Sequence, residues 1–143
     1  MSELHFVFAA EIGEGPLLDA IRQGFAEAQD AGLITKLRED PTGTEACVYV
    51  GSKDSPEGFA TFFDAGLGRV WLDVLFVRRE CRRKGIGRAL LAEVARRSAG
   101  AGFKHLLFGV DADNWLMRDL VERGDHGTAP ASVEFRIDLT GRA

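Results

Sequence analysis

Apolar and polar positions follow two different periods in the first part of the chain. Residues 4–10 are rich in residues that favour strands, so a first strand is predicted there. After Gly15-Pro16 the apolar residues recur at helical spacing, which predicts an amphipathic helix over about 16–31 with proline in its first turn. A short second helix is only weakly indicated over 34–38, before a turn at 40–43.

The middle of the chain predicts consecutive strands. Strands are expected over 45–51, 59–64 and 70–77, separated by a loop at 52–58 and a glycine-rich turn at 65–68. Because such short connections join neighbouring strands as hairpins, these three strands should form an antiparallel meander.

The remaining elements complete an alternating order of strands and helices. A helix follows Gly85 and is stopped at Gly100-Ala101-Gly102. Three more elements are predicted after it: a strand over 106–110, a helix over 114–122, and an alternating last strand over 133–139. The order indicates one α/β (α+β) domain spanning 1–143, with about six strands and about four helices.

One stretch between a predicted strand and a predicted helix has the features of an anion site. Residues 74–77 are apolar, residues 78–84 are mostly basic, and Gly85 and Gly87 lie where the loop enters the helix. Glycine allows a ligand to approach the backbone closely, and the first N–H groups of a helix lack intrahelical partners. Together with the helix dipole, these features favour a phosphate or pyrophosphate.

Charge is concentrated around the same stretch. Residues 78–97 contain eight basic and two acidic residues, a local charge of +6, which leaves −10 for the rest of a chain whose net charge is −4. A basic patch on an acidic body suits a phosphorylated cofactor, and the acidic half fits either a cationic substrate or a simply solvated surface.

The composition excludes several other classes. No long apolar run and no basic-then-apolar leader is present, so neither a membrane span nor a signal peptide is expected, and a cytoplasmic location is predicted. Cys47 and Cys81 could form a disulfide, but two free thiols in a reducing cytosol are the simpler interpretation. The three histidines lack ligand spacing, so no metal is expected.

The spacing Arg82-x-x-Gly85-x-Gly87 after a strand resembles the acetyl-CoA signature of the GNAT N-acetyltransferase superfamily. That signature is Arg or Gln, two residues, Gly, one residue, then Gly or Ala. The resemblance extends to Leu75-Phe76-Val77 as the fourth strand and to Asn114 after the fifth strand. It implies a mixed, mostly antiparallel sheet that splays apart between its fourth and fifth strands.

The resemblance also implies how acetyl-CoA would bind. The pantetheine arm would pair with backbone groups of the fourth strand, and a backbone N–H near Phe76–Val77 would face the thioester oxygen. The pyrophosphate would lie on the loop and helix start. The implied cofactor-binding residues are Leu75, Phe76, Val77, Arg82, Arg83, Lys84, Gly85, Ile86, Gly87, Arg88 and Asn114.

Transfer to an amine also needs a proton acceptor, because a lysine-like amine has an unperturbed pKa of about 10.4. Asp73 is the first candidate as the only charged residue within the apolar run 70–77, and Asp111 is the second. The structural alternative is that Asp73 faces an open part of the sheet or pairs with Arg69 or Arg78.

The chain departs from the family at the residue that would protonate the leaving thiolate. GNAT enzymes commonly carry a tyrosine seven residues after the Asn, and that position here is Val121. A thiol has a pKa of about 8.5, so its thiolate can leave without strong acid help.

Three functions therefore remain open from the sequence. The first is an acetyl-CoA-dependent N-acetyltransferase acting on a primary amine of a small molecule or protein. The second is a GNAT-like module that binds acyl-CoA but transfers weakly or not at all. The third is a small nucleic-acid-binding domain, which is disfavoured because the basic run lacks interleaved aromatics, so no nucleic acid and no membrane is expected as a partner. A homodimer is compatible with all three, and the sequence does not identify the acceptor.

Overall fold

The structure is a computed structural model that describes residues 3–8, 12, 14–30, 46–109, 115–123, 127–131, 135 and 137–141. Within these residues five strands form one sheet in chain order: β1 (Leu4–Phe8), β2 (Ala46–Ser52), β3 (Ser55–Gly66), β4 (Arg69–Val77) and β5 (His105–Leu107). Neighbours from β1 to β4 are antiparallel, and β5 is parallel to β4. The mixed, mostly antiparallel sheet is therefore confirmed.

Helices cover both faces of this sheet. The described residues contain α1 (Pro16–Asp30), α2 (Ile86–Gly100), α3 (Trp115–Arg123) and a 3-10 turn (Arg79–Cys81). One core lies under α1 and includes Leu17 and Ile21, and the other lies under α2 and includes Leu90 and Val94. The three helices agree with the helical periods of the sequence.

The β3–β4 hairpin explains why glycines cluster at residues 65–68. Leu67 and Gly68 form its two-residue turn with φ of 57° and 72°. Two positive φ angles match the right-handed twist of the flanking strands, and glycine adopts them without steric cost. Leu67 adopts one of them with its side chain 90% exposed.

Two predicted boundaries are wrong. Strand β3 begins at Ser55 instead of residue 59, because the turn is only Lys53-Asp54 and Glu57 bulges out of the pairing with β2. The bulge lets Pro56 and Gly58 lie within a strand although both residues disfavour one. At the other end of the fold, β5 (His105–Leu107) begins one residue before the predicted run 106–110 and includes only two residues of that run.

The predicted last strand is also not part of the sheet where it is described. Residues 135 and 137–139 have no strand structure, and Phe135, Ile137 and Leu139 are 89%, 72% and 72% exposed. An alternating sequence specifies which side chains would lie on the same face of a strand, but it does not determine whether another strand lies beside it to pair with. The second helix and turn predicted over 34–43 lie outside the described residues.

Among the helices that the structure describes, none is both long and apolar enough to cross a bilayer.

Candidate functional site

Strand β4 is paired along its whole length on one side and only at its beginning on the other. Its pairing with β3 continues to Val77. Its pairing with β5 involves only Arg69, Val70 and Trp71. Within the described part of the chain, the outer edge of β4 from Leu72 to Val77 therefore faces no strand.

Strand β4 has a β-bulge, opposite β3, at the point where β4 and β5 stop pairing. Val74 pairs with Thr61 and Leu72 pairs with Phe62, so Asp73 is the extra residue on β4. A bulge bends its strand and increases the local twist. Asp73 thus lies at the start of the open edge, with its Oδ2 atom inaccessible to solvent.

The bulge also reverses which β4 side chains face which helix. Leu72 belongs to the core under α2, whereas Val74 and Phe76 belong to the core under α1. Leu75 and Val77 pack against the α2 core instead. Without the extra residue, strand alternation would put Phe76 on the α2 face.

Backbone groups of Leu75 and Val77 point toward the open edge. The N–H of Arg78 donates to Glu57 O on the β3 side at 3.0 Å. Hydrogen-bonded residues alternate along an antiparallel pair, so the backbone of Phe76 also faces β3, and those of Leu75 and Val77 face away. Phe76 therefore presents neither its backbone nor its ring to the open edge.

A short turn connects β4 to α2. Cys81 N–H donates to Arg78 O at 2.8 Å, and Arg82 N–H donates to Arg79 O at 3.3 Å. Arg83 then has φ of 65°, a left-handed conformation that is uncommon outside glycine. Such strain persists only where the surrounding structure enforces it, and it occurs often at ligand sites.

Helix α2 begins without a cap from the protein. Its N-cap residue is Gly85, with φ of 81°, and no side chain bonds to the helix start. The first helical hydrogen bond is Ala89 N–H to Gly85 O at 3.0 Å, which leaves the N–H groups of residues 86–88 without an intrahelical acceptor. We call the N–H groups of residues 86–88 the cradle.

The surroundings of the cradle are open and basic. A Cβ atom added at Gly85 would have no neighbouring atom within 4 Å. Arg83, Lys84 and Arg88 are exposed beside it, whereas the Ile86 side chain is buried in the core under α2. Free N–H groups, a helix dipole and nearby cations can bind an anion such as pyrophosphate.

Gly87 has a different role from Gly85. A Cβ added at Gly87 would lie 3.6–3.8 Å from Leu120, Leu75 and Val77, which is ordinary van der Waals contact with the protein. Gly87→Ala should therefore raise the free energy of unfolding by about 0.5–1 kcal/mol, the usual gain over glycine in a helix. Thermal unfolding measures this gain. A large drop in melting temperature would show that the helix start cannot accept a methyl group.

Arg82 is the first residue of the motif, and its side chain is partly buried. Its Nε donates to Val77 O at 2.9 Å, and its guanidinium lies 3.9 Å from Glu27 on α1. Two other candidates, Asp111 and Asn114, lie outside the described residues. The structure thus brings together the bulge, the open edge and the cradle, and it leaves the second candidate base and the Asn untested.

Tyr49, the chain's only tyrosine, is far from the open edge. It lies in β2, two strands from β4, and its ring stacks on His5 with 5.1 Å between centroids. Burial, with a smaller contribution from Cys47, raises its pKa further above the ordinary phenol value. It is therefore poorly placed to protonate a leaving group at β4.

A cleft of about 290 Å³ adjoins the turn on the α1 side of the sheet. Phe59 and Phe76 form its floor, and α1 approaches so closely there that a Cβ at Gly24 would lie 2.8 Å from Phe76. Its rim carries the charged residues Glu27, Arg78, Arg79 and Glu80. Sequence patterns gave no sign of this cleft because it depends on the helix-to-sheet distance.

Among the described residues, no group of three or more His, Cys, Asp or Glu side chains is arranged to hold a metal ion.

Both cysteines are free and buried, and burial raises the pKa of the Cys47 thiol to about 12. At pH 8 only about one Cys47 in 10⁴ is then a thiolate, so it should react very slowly with a thiol reagent. The native protein is expected to show almost no reaction, and two thiols per chain should titrate in denaturant. Rapid reaction of the native protein would contradict the burial of these residues.

Comparisons with known proteins agree with this geometry. The model of the "Acetyltransferase (GNAT) family" matches residues 16–124, about three quarters of the chain. No curated protein matches significantly.

Three similar solved structures illustrate the fold. An aminoglycoside acetyltransferase from an uncultured soil metagenomic sample, in complex with sisomicin, is 12% identical over 96% of this chain and 95% of its own, with a TM-score of 0.69. The ribosomal-protein-alanine N-acetyltransferase of Brucella melitensis biovar Abortus 2308 is 15% identical over 94% and 99%, with a TM-score of 0.66. The N-acetylglutamate synthase of Neisseria gonorrhoeae, complexed with coenzyme A and N-acetyl-glutamate, is 16% identical over 83% of this chain and 28% of its own, with a TM-score of 0.62. At these identities the structures show the shared fold, and the family match over most of the length shows that the chain belongs to the GNAT acetyltransferase family.

Proposed function

We propose that the chain is an acetyl-CoA-dependent N-acetyltransferase that acetylates a primary amine by direct attack on the thioester. One observation carries the proposal: one short turn connects the uncapped helix start to a strand whose outer edge is open. A cofactor that joins a pyrophosphate to an amide-containing arm needs both features side by side. Free N–H groups suit its phosphates, and an unpaired strand edge suits its amides.

The residues present fit this cofactor. The cradle N–H groups of residues 86–88 would bind the pyrophosphate, with added charge from Arg83, Lys84 and Arg88. Backbone groups of Leu75 and Val77 would pair with the pantetheine amides. Asn114 is proposed as a further contact from the family resemblance alone. Bound acetyl-CoA would supply the activated acetyl group.

The proton of the attacking amine needs an acceptor, which we assign to Asp73. Its position at the bulge puts a carboxylate at the beginning of the open edge, beside the backbone that the cofactor arm would follow. A base must reach the proton directly or through one water. Asp111 is the alternative, and an N–H of the open edge near Val77 is the proposed oxyanion donor.

The acceptor is proposed to be an amine because the similar structures carry amine acetyltransferase names: an aminoglycoside acetyltransferase, a ribosomal-protein-alanine N-acetyltransferase and an N-acetylglutamate synthase. These three differ widely in size and charge, so they support the class of acceptor and no particular member of it.

A thiol-release assay with acetyl-CoA and a panel of amines tests the proposal. The panel should contain an aminoglycoside, a peptide with N-terminal alanine and free amino acids, each at several concentrations. Acetyl-CoA hydrolysis without amine is the blank, and the buried cysteines keep the protein's own reaction with the reagent low. Amine-dependent release of CoA with a matching mass increase of 42 Da on the amine, the mass of an added acetyl group, supports the enzyme.

A second candidate is an acyl-CoA-binding module without efficient transfer. It is favoured by Val121 at the position where the family commonly has tyrosine, and by the distance of Tyr49 from β4. Calorimetry separates the two candidates, since the module would bind CoA yet release no thiol with any amine. Salt-sensitive binding of a random oligonucleotide that CoA does not displace would instead favour the nucleic-acid alternative.

A further inference from the structure

The side chain of Arg82 contacts the protein on several sides. Its Nε donates to Val77 O at 2.9 Å, at the end of β4. Its guanidinium lies 3.9 Å from a Glu27 carboxylate oxygen and 5.8 Å from the centroid of the Phe76 ring. Its backbone N–H donates to Arg79 O within the turn. Only 26% of the side chain is exposed, so the arginine is held in this position.

The contacts of the Arg82 guanidinium with Glu27 and Phe76 lie on the opposite side of the sheet from the cradle. Phe76 belongs to the core under α1, and Glu27 is on α1 itself. The cradle is the start of α2, which packs on the other face. The cations beside the cradle are instead Arg83, Lys84 and Arg88, all of them exposed.

From this geometry we propose that Arg82 is a positioning residue and does not bind the pyrophosphate through its charge. This assignment rests on the proposed function, since it concerns how the same cofactor site is built. Arg82 holds the turn between β4 and α2 in place, with Val77 as its anchor. The phosphate contacts fall to the N–H groups of residues 86–88 and to the exposed cations.

The hydrogen bond between Arg82 and Val77 O connects the two parts of the site, the open edge of β4 and the cradle. Val77 O is one of the edge groups that point away from β3, and Arg82 already donates to it. Its N–H and the backbone groups of Leu75 remain for the pantetheine arm. One cofactor must contact both the edge and the cradle. The hydrogen bond from Arg82 Nε to Val77 O, which we call the clamp, fixes the distance between these two contact points. Loss of the clamp leaves each part intact but no longer aligned.

Two substitutions at Arg82 distinguish the effect of its hydrogen bond to Val77 O from the effect of its positive charge. In Arg82→Gln the side-chain amide nitrogen is the same number of bonds from the backbone as Nε of arginine, so it can donate to Val77 O without a positive charge. In Arg82→Met the chain is similar in length but has neither donor nor charge. By calorimetry, Arg82→Met should weaken CoA binding about tenfold, and Arg82→Gln should stay within about threefold of the parent.

Equal weakening of CoA binding in the two variants would overturn the proposal and make Arg82 a phosphate ligand. An unchanged affinity in Arg82→Met would also overturn it, since no clamp would then be needed. Thermal unfolding is recorded for both, because a purely structural arginine would change melting temperature without this difference in CoA affinity.

Hydrogen exchange in the free protein tests the clamp without any cofactor. The N–H groups of residues 81 and 82 are bonded within the turn, so loss of the clamp should expose them. Their exchange is expected to be about tenfold faster in Arg82→Met and unchanged in Arg82→Gln. Failure of the parent to bind CoA would refute the proposed function alone, whereas unchanged exchange in Arg82→Met would refute the clamp alone.

Discussion

Gly85→Val is expected to weaken CoA binding by at least about 100-fold while the protein remains folded. Gly85 has φ of 81° and faces open space at the helix start. A valine there would both disfavour this backbone conformation and fill the space next to the cradle. Loss of two charge-assisted hydrogen bonds of about 1.5 kcal/mol each corresponds to a factor of about 100. Isothermal calorimetry with CoA measures the loss.

The other end of α2 offers a matched control. Gly102 has φ of 89°, and a Cβ there would also have no atom within 4 Å. Gly102→Val therefore imposes the same kind of backbone strain, about 1–2 kcal/mol, far from the cradle. Both variants should lose similar stability, and only Gly85→Val should lose CoA. If the two variants bind CoA equally well, the cradle is assigned to the wrong place.

Asp73→Asn is expected to lower the rate of amine acetylation at neutral pH by about 10²–10⁴, the usual contribution of a general base. The substitution keeps the side-chain shape and removes proton acceptance. CoA affinity should hardly change, because backbone groups hold the cofactor. Raising the pH should partly restore the rate, since a larger fraction of the amine is then neutral before it binds. A pH–rate profile for parent and variant measures both effects.

A structural role for Asp73 predicts a different outcome. In that case Asp73→Asn would lower the melting temperature and leave the pH profile of the remaining activity unchanged. Asp64→Asn is a suitable control, because Asp64 is exposed on the neighbouring strand near the hairpin turn. Full activity of Asp73→Asn at pH 7 would eliminate Asp73 as the base, and Asp111→Asn would be tested next.

Local patterns predicted the parts of the fold that local physics determines. The helical spacing of Leu17, Leu18, Ile21 and Phe25 gave α1, and the two glycines after a basic loop located the start of α2. Both depend on residues close together in sequence. The antiparallel meander followed from the short connections between its strands. The mixed sheet was implied by the family resemblance, and the helical connection between β4 and β5 is compatible with their parallel pairing.

Features that depend on pairing partners could not be predicted in the same way. The run 70–77 is apolar at every position except Asp73, so its sequence does not reveal that a bulge reverses the alternation there. Arg82 matches the motif as a charged residue, and only the positions of Val77 and Glu27 show where its side chain points. The run 133–139 alternates like a strand in sequence, but its described residues, 135 and 137–139, have no strand structure.

The hydrogen bond of Arg82 also fits the signature, which has either arginine or glutamine at this position. Both residues have a nitrogen donor at the same number of bonds from the backbone, but only arginine is charged. That common feature is the one that Arg82 uses toward Val77 O.

An amide-resolved NMR titration with CoA observes the open edge of β4 and the cradle in one experiment, so it tests whether one cofactor contacts both. Large shifts are expected for the backbone N–H signals of residues 75, 77 and 86–88, at saturation with one CoA per chain. Signals from β1, such as His5 and Val7, should not move. If CoA shifts the signals of other regions and leaves residues 86–88 unaffected, or causes no shift at millimolar concentration, the proposed CoA site is wrong.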